Sequence, residues 1–531
     1  MRGSGSYRLW SKASNFFFRA CLITLLAGLT AFPLAARQDI LDREITIPRQ
    51  TTTLYGLFSQ ISRQTGYFFI YDSELVDNNR RVRTGAVTGR LGDMLSAFLD
   101  DPGLQFMVVD RHIVIYRRPA IAAERAAPAM EEEEGRPEGL LVRGRVLDQE
   151  SGSPLPHATI LIEGKGMGTI SNHDGVFQFR VQEPLRHASM RISYMGYKSQ
   201  TFPLALVDGK NIDVLMETDY ISMQEVIIRY YDPETIVREA LERRPDNYSN
   251  TPVYHTSFYR EGVQRNRKLL NYSEAIFKIY KSSYIDEFDT DQAVLLKSRK
   301  ISDANHTDTL ILKIKAGVQS ALELDIIKTM PAFFDPEYLH ELAFSPVDIV
   351  TRDDRSLYAI RFEQTHLEFL PIYTGIFFID TETLALVAIE FEVHPKHIDK
   401  SRHVFLARLH RRYQVNFDRI HYTVQYQLHN GTYHLSHLRG DIHMRLRSRS
   451  RLFSSNYHAF LEMALFHIDT EEVRRFSRRE TFRTQEIFVD QKLEYDYAFW
   501  GEYNIIPPEK SVTEAFTQIR PKIESIVSEE E

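Results

Sequence analysis

Apolar residues recur along the chain with two spacings, one typical of helices and one typical of strands. Near the N-terminus, two segments carry apolar residues at i, i+3, i+4 and i+7, which is the spacing of one helix face. These residues are Leu54, Leu57, Phe58 and Ile61, then Leu91, Met94, Leu95 and Phe98. Apolar stretches at residues 67–71, 105–109 and 112–116 have the composition of strands. The pattern predicts a small α/β module over residues 37–118.

Between residues 141 and 220 the apolar positions alternate with polar ones and are interrupted by turn residues. Phe177 and Phe179 follow an Asp174-Gly175 turn with a period of two. Short alternating strands separated by such turns are typical of a β-sandwich. We expect this sandwich to bind or brace other parts of the protein rather than to catalyse a reaction.

Residues 221–531 read as a β-rich region that opens with a helix at Asp232. Two hairpins are predicted, one around residues 380–383 and one at Asn430-Gly431, which is a strong turn signal. Long antiparallel strands with one apolar face must either close on themselves or have that face covered by helices, and a curved sheet wrapped on helices is the simpler of the two solutions. The predicted fold class is therefore multidomain and mainly β. It comprises a small α/β N-terminal module, a seven-strand-type β-sandwich, and a larger α+β region with a curved antiparallel sheet.

The predicted sandwich resembles the carboxypeptidase regulatory-like domain, a transthyretin-like sandwich of exported proteins from Bacteroidota-type bacteria. The matching positions are Gly144, Val146, Asp148, Gly152, Pro154, Leu155, Ala158, Gly164, Gly168, Thr169, Asp174, Gly175, Phe177 and the run Ser193-Tyr194-Met195-Gly196-Tyr197. Two residues depart from the family pattern: His157 stands where Gly is usual, and Asn172 where Asp is usual. The resemblance implies the fold and no catalytic residue.

The N-terminal module is similar to the short N-terminal (STN) domain of secretins and TonB-dependent receptors. The likeness is carried by QISRQTGYFFIYDSEL, LGDMLSAFL and DRHIVIYRR. It implies a periplasmic docking module that contacts a periplasmic or outer-membrane protein; the alternative is a spacer without a partner. The stretch from Met223 to Ile228 is similar to the segment that precedes the plug in TonB-dependent glycan receptors, or is simply the sandwich's last strand and linker.

The first 36 residues have the layout of an export signal: basic residues, an apolar run at residues 20–29, and small residues ending at Ala36. An uncleaved membrane anchor is the alternative. Residues 119–140 are rich in Ala, Glu and Pro, and we predict a disordered linker there because they lack the apolar residues of a core. Cys21, the one cysteine, lies in the predicted signal, so the mature protein would have no disulfide or thiol chemistry.

Composition narrows the function further. The formal net charge of −7 over 531 residues is mild, which disfavours nucleic acid as a partner. Because of the predicted export signal and the resemblance to the STN domain, we expect the protein in the periplasm or on the periplasmic face of the outer membrane.

Histidine is the most suggestive residue type, since 13 of 19 lie between His340 and His467. His434 and His437 are three apart on a predicted strand, so we expect their side chains on opposite faces and unable to share a metal ion. No H-E-x-x-H, G-x-S-x-G or Gly-rich phosphate motif occurs. We therefore expect no catalytic residue, no cofactor and no metal site.

A stripe of arginines gives the one candidate binding site. Arg445, Arg447, Arg449 and Arg451 alternate with other residues, so on a strand all four would project from one face. Guanidinium groups suit phosphate and carboxylate, which makes an anionic glycan or lipid headgroup a reasonable ligand. The alternative is a solvated face paired with surface glutamates. The neighbouring Arg439-Gly440-Asp441 is given no role.

These observations favour a non-enzymatic exported envelope protein for recognition, docking or assembly at the outer membrane, linked to TonB-dependent uptake or signalling. An alternative is an outer-membrane β-barrel transport protein formed by the C-terminal 300 residues. Against it stand the Arg stripe and the chain's last residues, which lack the aromatic ending usual in barrels. A third is a hydrolase whose site has no recognisable motif.

Overall fold

The computed structural model describes residues 40–484 and 504–513, with gaps at residues 73–74, 79, 110, 118–138, 220–231, 287, 303–311, 315–316, 346, 366–370, 410–412, 449–453 and 511. The predicted signal peptide, most of the predicted linker and the Met223–Ile228 stretch lie outside the described residues. Across the described residues the chain is mainly β, with several sheets and more than one structural unit, which confirms the predicted fold class. No helix in these ranges is both long and apolar enough for a membrane span.

Within its described residues, the N-terminal module contains two α-helices and seven short strands. Its elements are β1 (Glu44–Ile47), β2 (Gln50–Thr53), α1 (Leu54–Thr65), β3 (Phe68–Tyr71), β4 (Arg81–Thr84), β5 (Val87–Arg90), α2 (Leu91–Leu99), β6 (Leu104–Val109) and β7 (His112–Arg117). Both helices lie where the apolar spacing predicts them, and Leu57 and Leu91 are fully buried. The Thr53 hydroxyl caps α1 by accepting a hydrogen bond from the Gly56 N–H at 3.1 Å.

The sandwich has seven strands and one short helix. They are β8 (Leu140–Asp148), β9 (Thr159–Ile162), β10 (Met167–Ile170), β11 (Val176–Val181), β12 (Ser189–Ser193), β13 (Gln200–Pro203), α3 (Leu204–Val207) and β14 (Asn211–Met216). One layer has the order β11-β8-β14 and the other β13-β12-β9-β10. Phe177 and Phe179, on the strand after the predicted turn, are fully buried, as their period of two requires.

The C-terminal region adds thirteen strands and five short helices within the described residues. The helices are α4 (Pro233–Glu242), α5 (Arg244–Asn247), α6 (Val318–Glu323), α7 (Ile326–Thr329) and α8 (Arg402–Phe405). The strands are β15 (Val253–Arg265), β16 (Lys268–Lys281), β17 (Gln292–Ser302), β18 (Leu312–Ile314), β19 (Leu342–Phe344), β20 (Asp348–Arg352), β21 (Arg355–Gln364), β22 (Tyr373–Asp380), β23 (Leu386–Val393), β24 (Leu406–Leu409), β25 (Tyr413–His429), β26 (Thr432–Ser448) and β27 (Ser454–Asp469).

Most of these strands form one antiparallel sheet, in which β27, β26, β25, β23, β22 and β21 are successive neighbours. Both predicted hairpins are present: β22 pairs with β23, and β25 pairs with β26. Asn430 and Gly431 have φ of 48° and 85°, the pair of positive values that a tight two-residue turn needs. One face of the sheet packs with residues of α4, α6 and α7 in a continuous apolar core. This is the helix-covered sheet that the apolar pattern predicts.

The sandwich is not an independent domain. Its strand β10 pairs with β27 through Met167 and His467 and so extends the large sheet. The segment 504–513 contacts both parts, and the Pro507 carbonyl accepts a hydrogen bond from Nη1 of Arg260 in the large sheet at 3.3 Å. Its Asn504 exchanges two hydrogen bonds with the backbone of Arg180, at 2.6 and 3.0 Å. The sandwich therefore forms part of the same structural unit as the C-terminal sheet.

Candidate functional site

A polar cleft of about 560 Å³ lies between the sandwich and the sheet face that the helices do not cover. The sandwich contributes the loop after β8, including His157, and the end of β12 with Tyr194. The sandwich is held at the rim of the cleft by the Gly196 N–H, which donates to the Thr351 carbonyl at 2.7 Å. The charged residues that line the cleft are Arg352, Glu390, Arg419, Arg439, Asp441 and Glu509, and the histidines are His157, His173, His421, His443 and His458.

Strand alternation explains how one strand serves both the core and the cleft. On β26, Leu438, Ile442 and Met444 are buried in the apolar core. Arg439 and Asp441 lie between them in sequence and line the cleft on the opposite face. The same alternation on the neighbouring strands concentrates charged residues on the cleft side.

A β-bulge corrects one prediction from the sequence. His437 lies opposite Gln425 and His434 lies opposite Gln427, while Ser436 is the extra residue between them. Gln425 and Gln427 are two residues apart on an unbroken stretch of β25, so His434 and His437 project from the same face. The prediction that they lie on opposite faces is wrong, because an extra residue reverses the alternation.

His157 is the residue that brings the sandwich into the site. Its φ is 62°, a left-handed conformation that costs about 1–2 kcal/mol for residues other than glycine. Its ring stacks on His437 with centroids 4.9 Å apart, and its Nδ1 lies 3.5 Å from Oε1 of Glu462. The departure from the family's glycine at this position is therefore visible in the sequence, although the contacts with His437 and Glu462 do not follow from it without the structure.

Glu462 is the centre of a buried ionic cluster. Its side chain is fully buried, and Arg260, Arg439 and His437 approach it from three directions. Arg260 lies 2.5 Å from Oε2, and His437 Nε2 lies 2.9 Å from Oε1. Burial alone would raise the pKa of Glu462, but the guanidinium groups of Arg260 and Arg439 lower it well below its ordinary value. The carboxylate is thus fixed in its charged form.

Arg439 extends this cluster to the surface of the cleft. Its Nε and Nη2 donate to the two oxygens of Asp441 at 2.8 and 3.0 Å, and its Nη1 lies 3.1 Å from Glu509. His458 Nε2 lies 2.7 Å from Asp441 Oδ1. Burial would raise the pKa of Asp441, but Arg439 and His458 keep it well below the ordinary range. Arg439 and Asp441, to which the sequence interpretation gives no role, are a central ion pair of the site.

Arg352 is paired more loosely than Arg439, whose guanidinium donates to both oxygens of Asp441. Its side chain is 3% exposed, and its Nη2 donates to Thr159 Oγ1 at 3.2 Å. The nearest carboxylate among its ion pairs is Asp353, with an oxygen 3.5 Å from Nε. The Nη1 atom is buried and has no hydrogen-bond partner among the described residues. The cleft wall therefore holds a guanidinium group with a free donor.

The predicted Arg stripe lies only partly within the described residues. Arg445 and Arg447 are exposed on the face of β26 that carries His443, and Arg445 pairs with Asp418 at 2.8 Å. Arg449 and Arg451 lie outside the described residues. Anion binding by the stripe stays a prediction, and Arg352 was not among the residues that the sequence singles out.

Replacing His157 tests whether its backbone is strained. We expect His157→Gly to be more stable than His157→Ala by about 1 kcal/mol, since both lose the ring but only glycine relieves the positive φ. The free energy of unfolding in urea, measured for both variants, gives the difference. His173 is the matched control: it lies in the same cleft without a positive φ, so there alanine should be the more stable replacement.

Similarities to known proteins are short or distant. A TonB-dependent receptor P3 from Formosa agariphila is 28% identical over 90 residues, which are 17% of this chain and 9% of the receptor. A DUF1329 family protein from Desulfovibrio piger is 11% identical with a TM-score of 0.23, covering 46% of this chain and 96% of that one. The FpvAI–pyocin S2 complex is 10% identical with a TM-score of 0.14, covering 78% and 59%. Residues 142–228 match the CarboxypepD_reg-like domain family, the family that the predicted sandwich resembles.

Proposed function

We propose that this protein is an exported component of the bacterial envelope that binds an anionic ligand in the cleft between the sandwich and the C-terminal sheet. It acts by recognition and does not transform the ligand. The observation that carries the proposal is that Arg352 lines the cleft and that its buried Nη1 has no hydrogen-bond partner among the described residues. A buried donor without an acceptor is costly, and a ligand carboxylate or phosphate would supply that acceptor.

The other charges of the cleft favour a ligand with hydroxyl groups beside its anionic group. Arg439 is already paired with Asp441 and Glu509 and is not available to an anion. Glu390 faces the cleft, and burial raises its pKa. A carboxylate or carboxyl group of this kind accepts or donates hydrogen bonds to hydroxyls. An acidic saccharide or a phosphorylated lipid headgroup has both features.

Two similarities to known proteins support a connection to TonB-dependent uptake or signalling. Residues 142–228 match a domain family, and a TonB-dependent receptor shares 28% identity over 90 residues with this chain. The N-terminal module, by its resemblance to the STN domain, would dock a periplasmic or outer-membrane protein. In this proposal the protein resides in the periplasm or on the periplasmic face of the outer membrane and delivers or senses the bound ligand.

Titration calorimetry of the untagged protein tests the binding site. We expect digalacturonate or glycerol phosphate to bind, and Arg352→Gln to weaken that binding about 10- to 100-fold, because a hydrogen bond to a charged group contributes about 1.5–3 kcal/mol. The neutral disaccharide should bind much more weakly than digalacturonate.

Arg445→Gln is the matched control, since it removes an exposed guanidinium of the stripe and leaves the cleft intact. If Arg445→Gln lost binding and Arg352→Gln did not, the anion would bind at the arginine stripe and not in the cleft. The absence of binding by both anionic probes, or equal binding of neutral and acidic disaccharides, would contradict the proposal.

A further inference from the structure

Asp441, His443 and His458 form a compact group on the floor of the cleft. Asp441 and His443 are two residues apart on β26, and His458 lies directly opposite His443 on β27. Side chains two apart on a strand, and side chains opposite each other across a pair of strands, share one face of the sheet. All three therefore project into the cleft, and all three line it.

Their ligating atoms are close enough to bind one ion. One oxygen or ring nitrogen from each residue can be chosen so that all lie within 4.8 Å of one another. Zinc bonds of about 2.0–2.2 Å in a tetrahedron place ligand atoms about 3.3–3.6 Å apart, so only small side-chain rotations are needed. The rings of His443 and His458 are stacked with centroids 4.3 Å apart, and His443 is exposed, which leaves it free to rotate.

The surrounding charges permit a cation. Two guanidinium groups, Arg260 and Arg439, face three carboxylates, Glu462, Asp441 and Glu509, which leaves one negative charge in excess in this cluster. Arg439 also donates to both oxygens of Asp441 and so fixes the orientation of that carboxylate. Ligating carboxylates in metal sites are commonly held by such outer hydrogen bonds.

A second group, His157, His437 and Glu462, has equally close ligating atoms. It suits a cation less well, because its carboxylate is fully buried and is paired with two guanidinium groups, those of Arg260 and Arg439, whereas Asp441 is partly exposed and is paired with Arg439. We assign this inner group to the structural cluster of the sheet.

We propose that Asp441, His443 and His458 bind one divalent transition-metal ion, with Zn²⁺, Ni²⁺ and Cu²⁺ as the ions that imidazole and carboxylate ligands favour. Three protein ligands leave a coordination position open toward the cleft. This proposal is independent of the anionic ligand, since the metal can bind without any organic molecule present.

The test is calorimetric titration of the untagged, EDTA-treated full chain with ZnCl₂, and separately with CoCl₂, whose visible absorption reports the coordination geometry. We expect one ion per chain in the wild type. His443→Ala and His458→Ala should each weaken binding by more than about 100-fold, since even outer-shell changes cost 10- to 100-fold. Circular dichroism confirms that each variant is folded.

His421→Ala is the matched control, because His421 lines the same cleft outside the group of three. It should retain wild-type affinity, as should Arg352→Gln, which separates this proposal from that of anion binding. Unchanged affinity in both His443→Ala and His458→Ala would overturn the assignment. So would a wild-type affinity no tighter than about millimolar, or a loss confined to His437→Ala.

Discussion

Glu462→Gln is expected to lower the free energy of unfolding by about 3–5 kcal/mol, the usual cost of removing one partner from a buried ion pair. Glutamine keeps the shape of the side chain but removes its charge. Arg260 is 1% exposed and its other carboxylate partner, Glu509, is 3.9 Å away, so its guanidinium can neither regain solvent nor keep a close counterion when Glu462 is neutralised. Urea unfolding followed by the circular dichroism of the buried tyrosines measures the change.

Glu392→Gln is the matched control for this prediction. Glu392 pairs with Arg419 at 2.6 Å, but the Arg419 side chain is 58% exposed, so the loss should stay below about 1 kcal/mol. The double variant Arg260→Gln/Glu462→Gln should lose less unfolding free energy than the two single variants lose in sum. Each single change leaves the other charge buried without its partner, and the double change does not. A Glu462→Gln protein within about 1 kcal/mol of the wild type would show that the cluster contributes little.

Much of the fold follows from local rules that the sequence displays. The i, i+3, i+4 spacing predicts the positions of α1 and α2, and the Asn430-Gly431 pair predicts the hairpin between β25 and β26. These features depend on residues that are near one another in the chain, so short-range sterics and amphipathicity decide them. The joining of the sandwich to the large sheet through Met167 and His467 has no such local signal.

The site was less predictable because its contacts are long-range and its strands are irregular. Glu462 lies in the apolar stretch LEMALF, and only the pairing of β15 with β27 shows that Arg260 is its partner. The extra residue Ser436 changes which side chains share a face, and no turn residue marks it. His157 carried the one usable signal, because a bulky residue at a family glycine position implies strain that the structure must offset.

Acidification from about pH 7.5 to about pH 5 is expected to destabilise the protein strongly, through histidines that are buried in the neutral form. Burial lowers the pKa of His434 to about 4 and that of His437 to about 4. His429 also opposes protonation of His434, and His157 and Arg439 oppose that of His437, although Glu462 favours it. Burial and the neighbouring His434 and Lys281 also lower the pKa of His255 well below its ordinary value.

The sign of the effect follows from proton uptake. Between about pH 6.5 and pH 4 the unfolded chain binds protons at these histidines while the folded chain does not, so unfolding becomes more favourable as the pH falls. At pH 5 the loss is about 2 kcal/mol for each of His434 and His437, since one pKa unit corresponds to about 1.4 kcal/mol. The depressed pKa of Glu462 acts in the same direction at lower pH, because its stabilising charge is lost on protonation.

His434→Phe isolates one of these contributions, because phenylalanine keeps an aromatic ring beside His255, whose ring centroid is 5.7 Å from that of His434. The loss of unfolding free energy between pH 7.5 and pH 5 should be about 2 kcal/mol smaller in this variant than in the wild type. His187→Phe, at an exposed position of the sandwich, should leave the pH dependence unchanged. Equal pH dependence in the wild type and in His434→Phe would contradict this prediction, because it would mean that His434 is protonated as readily in the folded chain as in the unfolded one. The burial of His434 on the sheet is the reason to expect otherwise.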